Sequence, residues 1–185
     1  MIDHDATMSA QAVELAASAT VLPGPLAAVL EYWRDRRGDR FAPAFGAFQL
    51  VDLPGDCIPQ TIVIDLHEPD HYDPAKARFR FFGTLWVETS AQEVTGKTVD
   101  RFMPPSVQTM LSGQYRRVLE ARRPVAFSNT LPTPKGLLAR FTVLRMPLSA
   151  DGTRIDKIVS VSRFEESRRH LQEAFEINLD VSRQS

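Results

Sequence analysis

The sequence predicts an α+β domain in which five strands form one antiparallel sheet with helices on one face. Segments with strand-like alternation occur in two groups, one early and one late in the chain, and glycine-containing turn signals separate the members of the late group. A stretch of helical pattern lies between the two groups. Strands joined by hairpins and interrupted by a helical middle are typical of an antiparallel sheet covered by helices. Flanking helices are predicted before the first strand and after the last.

Length and charge limit the classes of function. The 185 residues are enough for one domain with a hydrophobic core, and 22 basic against 23 acidic residues give a net charge of -1. Such a chain lacks the positive field that attracts nucleic acid or an anionic membrane. The single cysteine, Cys57, has no partner for an internal disulfide, and the pattern predicts neither a leader peptide nor a membrane-spanning segment. We therefore expect a cytoplasmic protein without nucleic acid or membrane partners.

The N-terminal part is predicted to be a flexible arm followed by a helix. Residues 1–22 are rich in Ala and Ser and show only a weak helical tendency through Gln11–Ala19. An amphipathic helix follows between Pro23 and Gly38, with arginines in its last turn. Its apolar face could pack within the domain or against a second copy, so a homodimer is among the predictions. The residues of this face are Leu26, Val29, Leu30 and Trp33.

Two early strands are predicted at Thr61–Leu66 and from Arg78 onward. The first is β-branched and alternating, and the second alternates arginine with phenylalanine as far as Gly83. The loop between them, His67–Pro74, is short enough to join an antiparallel pair. Beyond Gly83, large apolar side chains give way to short polar ones, which predicts short helical turns.

The second half of the chain is predicted to contain a helix, three strands and a final helix. The helix runs over Ser106–Ala121, and Gly113 inside it is interpreted as a site of close packing in preference to room for a ligand. Lys135-Gly136 and Asp151-Gly152 are hairpin signals, because glycine accepts the positive φ of such turns. The predicted strands and final helix are Val125–Leu131, Leu137–Leu148, Thr153–Phe164 and Glu165–Val181.

Several short motifs follow one another along the chain in a distinctive order. In this order they resemble a PAS domain, and more narrowly a family of small bacterial single-domain PAS proteins. The resemblance covers residues 23–164, which predicts a PAS-like domain there that includes the N-terminal flanking helix, and residues 165–185 are predicted from their own pattern to be a C-terminal helix. The motifs are Leu30-x-x-Trp33 with Arg37-Gly38, Phe41-x-Pro43, Phe79-Arg80-Phe81-Phe82-Gly83-Thr84, Thr95-Gly96-Lys97, and Pro147-Leu148-Ser149 with Asp151-Gly152.

Two segments match enzyme motifs but lack the expected context. His67 and His71 satisfy the H-E-x-x-H zinc pattern, yet Pro69 would cost about 3 kcal/mol inside the helix that the pattern requires, so a solvated loop is predicted. Ala91–Thr98 fits a loose phosphate-loop pattern, but Ala91 replaces the leading glycine and no buried strand precedes it. Gly96 is instead interpreted as a positive-φ or close-packing residue.

The PAS resemblance implies a cavity between the concave sheet and the helical middle. Arg140 could neutralise a ligand carboxylate there. No cofactor is predicted, because the Ser106–Ala121 helix holds no histidine for haem iron and the helical middle holds no cysteine for a flavin adduct. The apolar candidates for lining the cavity are Trp86, Phe102, Met110, Leu111, Phe127, Phe141 and Val159.

The predicted function is a sensory or regulatory module without catalysis of its own, which binds a small apolar ligand or a signalling protein partner. A ligand-free dimeric adaptor, joined through Leu26–Trp33 and Glu165–Val181, is the first alternative. The second is a metal-dependent hydrolase that uses His67 and His71.

Overall fold

The computed structural model describes residues 10–54, 56–102, 105–132 and 138–164, together with Gln172. The hairpin turn predicted at Lys135-Gly136 and the helix predicted over Glu165–Val181 lie outside the described residues, except for Gln172. The described strands and helices are β1 (Gln11–Leu15), α1 (Gly24–Arg37), β2 (Thr61–Asp65), β3 (Arg78–Phe82), α2 (Thr84–Ser90), α3 (Pro105–Ala121), β4 (Val125–Pro132), β5 (Leu138–Leu148) and β6 (Lys157–Phe164).

The strands form one sheet of six in the order β1-β4-β5-β6-β2-β3, and every neighbouring pair is antiparallel. The five strands predicted from the sequence are all present, and the helical middle lies between the early pair and the late group. The α+β prediction is therefore confirmed. Within the described residues, no helix combines the length and apolar content that crossing a bilayer requires.

The sixth strand, β1, differs from the sequence prediction. Gln11–Leu15 pairs with β4 from Gln11 opposite Thr130 to Leu15 opposite Ala126, where a flexible arm with weak helical tendency was predicted. Without β1, the outer edge of β4 would present unpaired N–H and C=O groups to solvent. Pairing with the edge of β4 therefore stabilises an extended arm more than the arm's weak helical tendency stabilises a helix. The residues of the arm do not themselves indicate this pairing.

The central strands of the sheet are buried on both faces. Along β5, Phe141 and Val143 contribute to one hydrophobic cluster, whereas Leu144 and Met146 contribute to the other. This division follows from the two-residue period of a strand. Each face therefore needs its own cover of helices.

Helix α1 covers one face. Leu26, Val29 and Leu30 are buried in the cluster on that face, and the indole Nε1 of Trp33 donates a hydrogen bond of 2.9 Å to the carbonyl oxygen of Pro147. Trp33 is 3% exposed. The apolar face of α1 therefore packs within its own domain, which answers the question that the sequence left open.

Helices α2 and α3 cover the opposite face. The chain passes from β3 into α2 through Gly83. Because Gly83 has no side chain, the backbone of the segment before β2 can approach it very closely. A Cβ atom at Gly83 would lie 2.3 Å from the carbonyl oxygen of Pro59. Beside this contact, the indole Nε1 of Trp86 donates to the carbonyl oxygen of Gln60 at 3.1 Å. These contacts fix Trp86 against the sheet.

The remaining glycine predictions have mixed outcomes. Gly96 and Gly152 have φ of 81° and 80°, as expected for turn glycines. Gly113 was predicted to mark close packing, and this is wrong, because it is exposed and nothing lies within 4 Å of where its Cβ would be. The local pattern placed Gly113 near the apolar stripe of α3 but could not show which side the helix turns to solvent.

Gly83 and Gly113 give a matched prediction. Gly83→Ala should lower the free energy of unfolding by about 3 kcal/mol, because the added methyl group meets backbone that cannot move independently. Gly113→Ala should raise it by about 1 kcal/mol, because alanine is the better helix former and the site is open. Urea denaturation of both variants measures the difference. Equal effects would contradict the described junction between β3 and α2.

Candidate functional site

A small cavity lies between the sheet and helices α2 and α3. Its free volume is about 20 Å³, roughly the space of one water molecule. Any occupant larger than a water molecule, a single ring as much as a flavin or a haem, would require the wall to rearrange. Most of its wall is apolar and is formed by Ile62, Phe79, Trp86, Val99, Phe102, Val107, Met110, Leu111, Tyr115, Leu131, Phe141 and Val143.

Aromatic rings in edge-on and tilted contact line one end of the cavity or pack against the rings that do. The Trp86 and Phe141 rings lie 5.8 Å apart at 81°, and the rings of Phe82 and Phe102 lie 4.8 Å apart at 74°. Phe164 packs beside Trp86 with a centroid distance of 5.1 Å. Such contacts add to the energy of burial and hold the rings in defined orientations. This end of the cavity is therefore the rigid one.

Met110 and Leu111 form the side of the cavity nearer to solvent. Both line it, and both are only partly buried on α3. Methionine adapts its unbranched side chain to irregular space more readily than other apolar residues do. This side of the wall is therefore better suited to side-chain rearrangement than the aromatic end.

One charged side chain reaches the cavity wall. Arg145 is 3% exposed and lies on β5. Its Nε donates to Oε1 of Gln114 at 2.9 Å, its Nη1 donates to Oγ of Ser160 at 2.7 Å, and its guanidinium carbon lies 4.3 Å from the centre of the Tyr115 ring. These partners are all neutral. Among the described residues, no carboxylate forms an ion pair with Arg145.

Arg145, Gln114 and Ser160 form a polar corner beside the cavity. Strand alternation and sheet register bring these residues together. Arg145 shares a face of β5 with Phe141 and Val143, and it stands opposite Ser160 in the pairing of β5 with β6. Gln114 reaches it from α3 and also donates from Nε2 to Oδ1 of Asn129 at 2.6 Å. The corner thus joins three strands to one helix.

Five of the eight residues predicted for the site lie at the cavity wall. Phe127 belongs to the hydrophobic cluster on the same face but does not line the cavity. The predictions for Val159 and Arg140 are wrong. Val159 belongs to the cluster beneath α1, and Arg140 is exposed. The five are Trp86, Phe102, Met110, Leu111 and Phe141.

Strand parity explains both errors and the residue that was missed. On β6, Ile158 and Ser160 face the cavity side, so their neighbour Val159 must face away. Arg140 precedes Phe141 and has the opposite parity, whereas Arg145 has the parity of Phe141. Counting in steps of two from Phe141 would have identified Arg145 as the inward-facing arginine.

The model of a family described as "PAS domain" matches residues 22–161 of this chain. The chain belongs to the PAS domain family. The match agrees with the resemblance seen in the motifs and spans β2 to β5, the first part of β6 and the described helices α1, α2 and α3. No curated protein matches the chain.

Solved structures similar to this PAS domain include blue-light receptor domains of the LOV type. The dark structure of the photoreceptor Aureochrome1 LOV has 12% identity and a TM-score of 0.43, covering 71% of this chain and 94% of that one. The LOV protein of Rhodobacter sphaeroides has 8% identity and a TM-score of 0.42, covering 68% and 89%. The LOV domain of the Erythrobacter litoralis EL346 histidine kinase has 12% identity and a TM-score of 0.38, covering 58% and 95%.

The H-E-x-x-H segment of this PAS domain is a turn, as predicted. The amide of His71 donates to the carbonyl oxygen of Glu68 at 3.2 Å, and Asp70 has a positive φ of 61°. Both histidines are exposed, and no helix holds them on one face. In the part of the chain that the structure describes, no group of three metal-ligating side chains occurs.

The segment that resembles a phosphate loop is bound to the edge of the sheet. The amide of Gly96 donates to the carbonyl oxygen of Phe79 at 2.7 Å, and the amide of Phe79 donates to the carbonyl oxygen of Lys97 at 3.0 Å. A phosphate loop would need these N–H groups to point at the anion. Here they extend the pairing of β3, which agrees with the sequence interpretation of Gly96.

Cys57 lies on the other side of the sheet from the cavity. It is 2% exposed and belongs to the cluster beneath α1. Burial, followed by the neighbouring Asp56 carboxylate, raises the pKa of its thiol to about 11. Since the thiolate is the reactive form, this cysteine is poorly suited to act as a nucleophile.

The raised pKa of Cys57 predicts a pH-dependent stability. The thiol in the unfolded chain ionises near its ordinary pKa of 9.0, whereas in the folded protein it stays protonated to about 11. The unfolded state therefore binds fewer protons between these values, and stability is lost as pH rises through that window. Compared with Cys57→Ala, the wild type should lose on the order of 2 kcal/mol between pH 9 and 11.

Urea denaturation of both proteins across this pH range measures the effect, and the alanine variant cancels the contribution of every other titrating group. Parallel curves for the two proteins would show that the thiol is not buried as described.

Proposed function

We propose that this PAS domain is a sensory or regulatory module that binds a small, largely apolar ligand in the cavity between its sheet and helices α2 and α3. Membership of the family supports the regulatory role. The proposed module performs no reaction of its own. A signalling protein partner receives the signal.

The observation that supports ligand binding best is the unfilled space inside the aromatic cluster. The free space beside Trp86 and Phe141 is about 20 Å³, close to the size of one water molecule, so a larger ligand would have to displace part of the wall. One wall of this space consists of Met110 and Leu111, which are only partly buried. A ligand can thus enter at α3 and place its apolar body against fixed aromatic rings.

A route for the signal also begins at α3. Arg117 on the outer side of this helix forms two hydrogen bonds, of 2.8 and 3.1 Å, with the carboxylate of Glu14 on β1. Displacement of Met110 by a ligand would move α3 and strain this ion pair. The strand β1 is an edge of the sheet with Val13 63% exposed, so it offers a partner both backbone groups and an apolar side chain.

The homodimer and the signalling partner remain predictions. A dimer joined through Leu26–Trp33 would require α1 to leave its own domain, because Leu26, Leu30 and Trp33 are buried there. Static light scattering of the wild type measures the oligomeric state, and a dimer would have to use a different surface.

A pair of isoleucine variants tests ligand binding at the cavity. Val143→Ile adds one methylene group at the cavity wall, whereas Val159→Ile makes the same change on the opposite face. Val143→Ile fills the free space and should abolish binding. Val159→Ile changes packing only beneath α1 and should leave binding intact.

Binding is measured in two ways. Small molecules released by denaturation are identified by mass spectrometry, and the melting temperature is recorded with toluene, benzamide and benzoate as one-ring probes. We expect a released molecule or a probe-induced rise in melting temperature for the wild type and Val159→Ile, with loss of the effect in Val143→Ile. A wild type that releases nothing and responds to none of the probes would overturn the proposed function.

A further inference from the structure

We propose that the ligand of this cavity carries a carboxylate, which pairs with Arg145 while the apolar remainder lies against the aromatic wall. This inference rests on the proposed function and names the chemical class of its ligand. It replaces the sequence-based suggestion that Arg140 meets a carboxylate, since Arg140 is exposed.

Hydrogen-bond donors outnumber acceptors in the chain of side chains that begins at Arg145. A guanidinium only donates, so the amide of Gln114 must present its oxygen to Nε of Arg145 and its nitrogen to Oδ1 of Asn129. Asn129 is fully buried, and its Nδ2 has no acceptor in the part of the chain that the structure describes. This chain of bonds is therefore short of acceptors.

Arg145 also lacks a negatively charged partner among the residues that the structure describes. The guanidinium of arginine stays ionised in proteins, and burial of a charge without a counter-charge is strongly unfavourable. Arginines nearer the surface of this domain have carboxylate partners, as in the 2.6 Å contact of Arg80 with Asp65 and the 3.2 Å contact of Arg122 with Asp70. Arg145, which is far more buried than these, has the amide of Gln114, a serine hydroxyl and an aromatic ring instead.

A carboxylate in the cavity would give Arg145 the counter-charge that it lacks and a further acceptor, although Asn129 itself does not line the cavity. The carboxylate accepts without donating, it carries the missing negative charge, and its two oxygens match the planar fork of a guanidinium. Arg145 and Ser160 both line the cavity, so an anion there would meet the guanidinium and a hydroxyl together. The limited free space restricts the apolar remainder to a small body, such as one ring, that displaces Met110 or Leu111.

A purely structural role for Arg145 makes a different prediction. In that case the Arg145–Gln114–Asn129 chain only ties α3 to the sheet, and a bound molecule gains nothing from a negative charge. The two roles are separated by comparing probes that share one ring but differ in charge. Benzoate is ionised at pH 7.5, benzamide has the same planar shape without charge, and toluene lacks polar atoms.

We expect benzoate to bind the wild type with roughly tenfold or greater affinity than benzamide, because charge-assisted hydrogen bonds are the stronger ones. Affinities are obtained from melting-temperature shifts at constant ionic strength, with acetate as the control for carboxylate alone. Arg145→Lys should reduce the preference, because lysine lacks the planar fork. Arg145→Met should abolish it, if the variant folds.

A second variant avoids dependence on the folding of Arg145→Met. Gln114→Glu keeps the shape of the side chain but places a carboxylate against Arg145, and a flipped Asn129 amide can then donate its unpartnered Nδ2 to the new oxygen. This internal anion should raise the melting temperature of the ligand-free protein. It should also remove the preference for benzoate over benzamide.

The outcomes separate the two proposals. Equal affinities of benzoate and benzamide for the wild type, or a benzoate preference that persists in Gln114→Glu, would overturn the carboxylate inference and leave the proposed function standing. Failure of every probe, together with no released molecule, would overturn the proposed function itself. Preferential binding of benzoate that is lost in Gln114→Glu would support both.

Discussion

Burial of β5 on both faces is the constraint on which the arrangement of this domain depends. Because successive side chains point to opposite sides, β5 contributes Leu144 and Met146 to the layer under α1 and Phe141, Val143 and Arg145 to the layer under α3. The same alternation that supplies side chains to both hydrophobic layers therefore places the guanidinium of Arg145 in the layer under α3. The candidate site is a consequence of how the sheet is covered.

The polar corner is what separates the cavity from an ordinary core. A void between aromatic rings alone could reflect imperfect packing, and apolar residues usually serve to fill volume. Arg145 favours a ligand site over imperfect packing. Its guanidinium is buried with neutral partners only, and a buried charge without a counter-charge is unfavourable. The cavity, Arg145 in its wall and the partly buried Met110 then form one site with an apolar end, a cationic end and a side whose side chains can rearrange.

The sequence predicted the fold well, because alternation, turn glycines and proline positions are local signals. It could not predict β1, whose pairing is required by the edge of β4 and not by its own residues. It assigned Val159 to the wrong face, although the period of β6 contained the answer. The corner at Arg145 was harder, since Gln114 lies 31 residues away in sequence and meets it only when α3 packs on the sheet.

The guanidinium of Arg145 can be observed directly by nitrogen-15 NMR of arginine-labelled protein. Its Nε–H is buried and bonded to Gln114, so its signal should exchange slowly with solvent and can be assigned from its loss in Arg145→Lys. The account predicts that this signal shifts saturably as benzoate is added. A signal that stays fixed while only the signals of surface arginines move would contradict it.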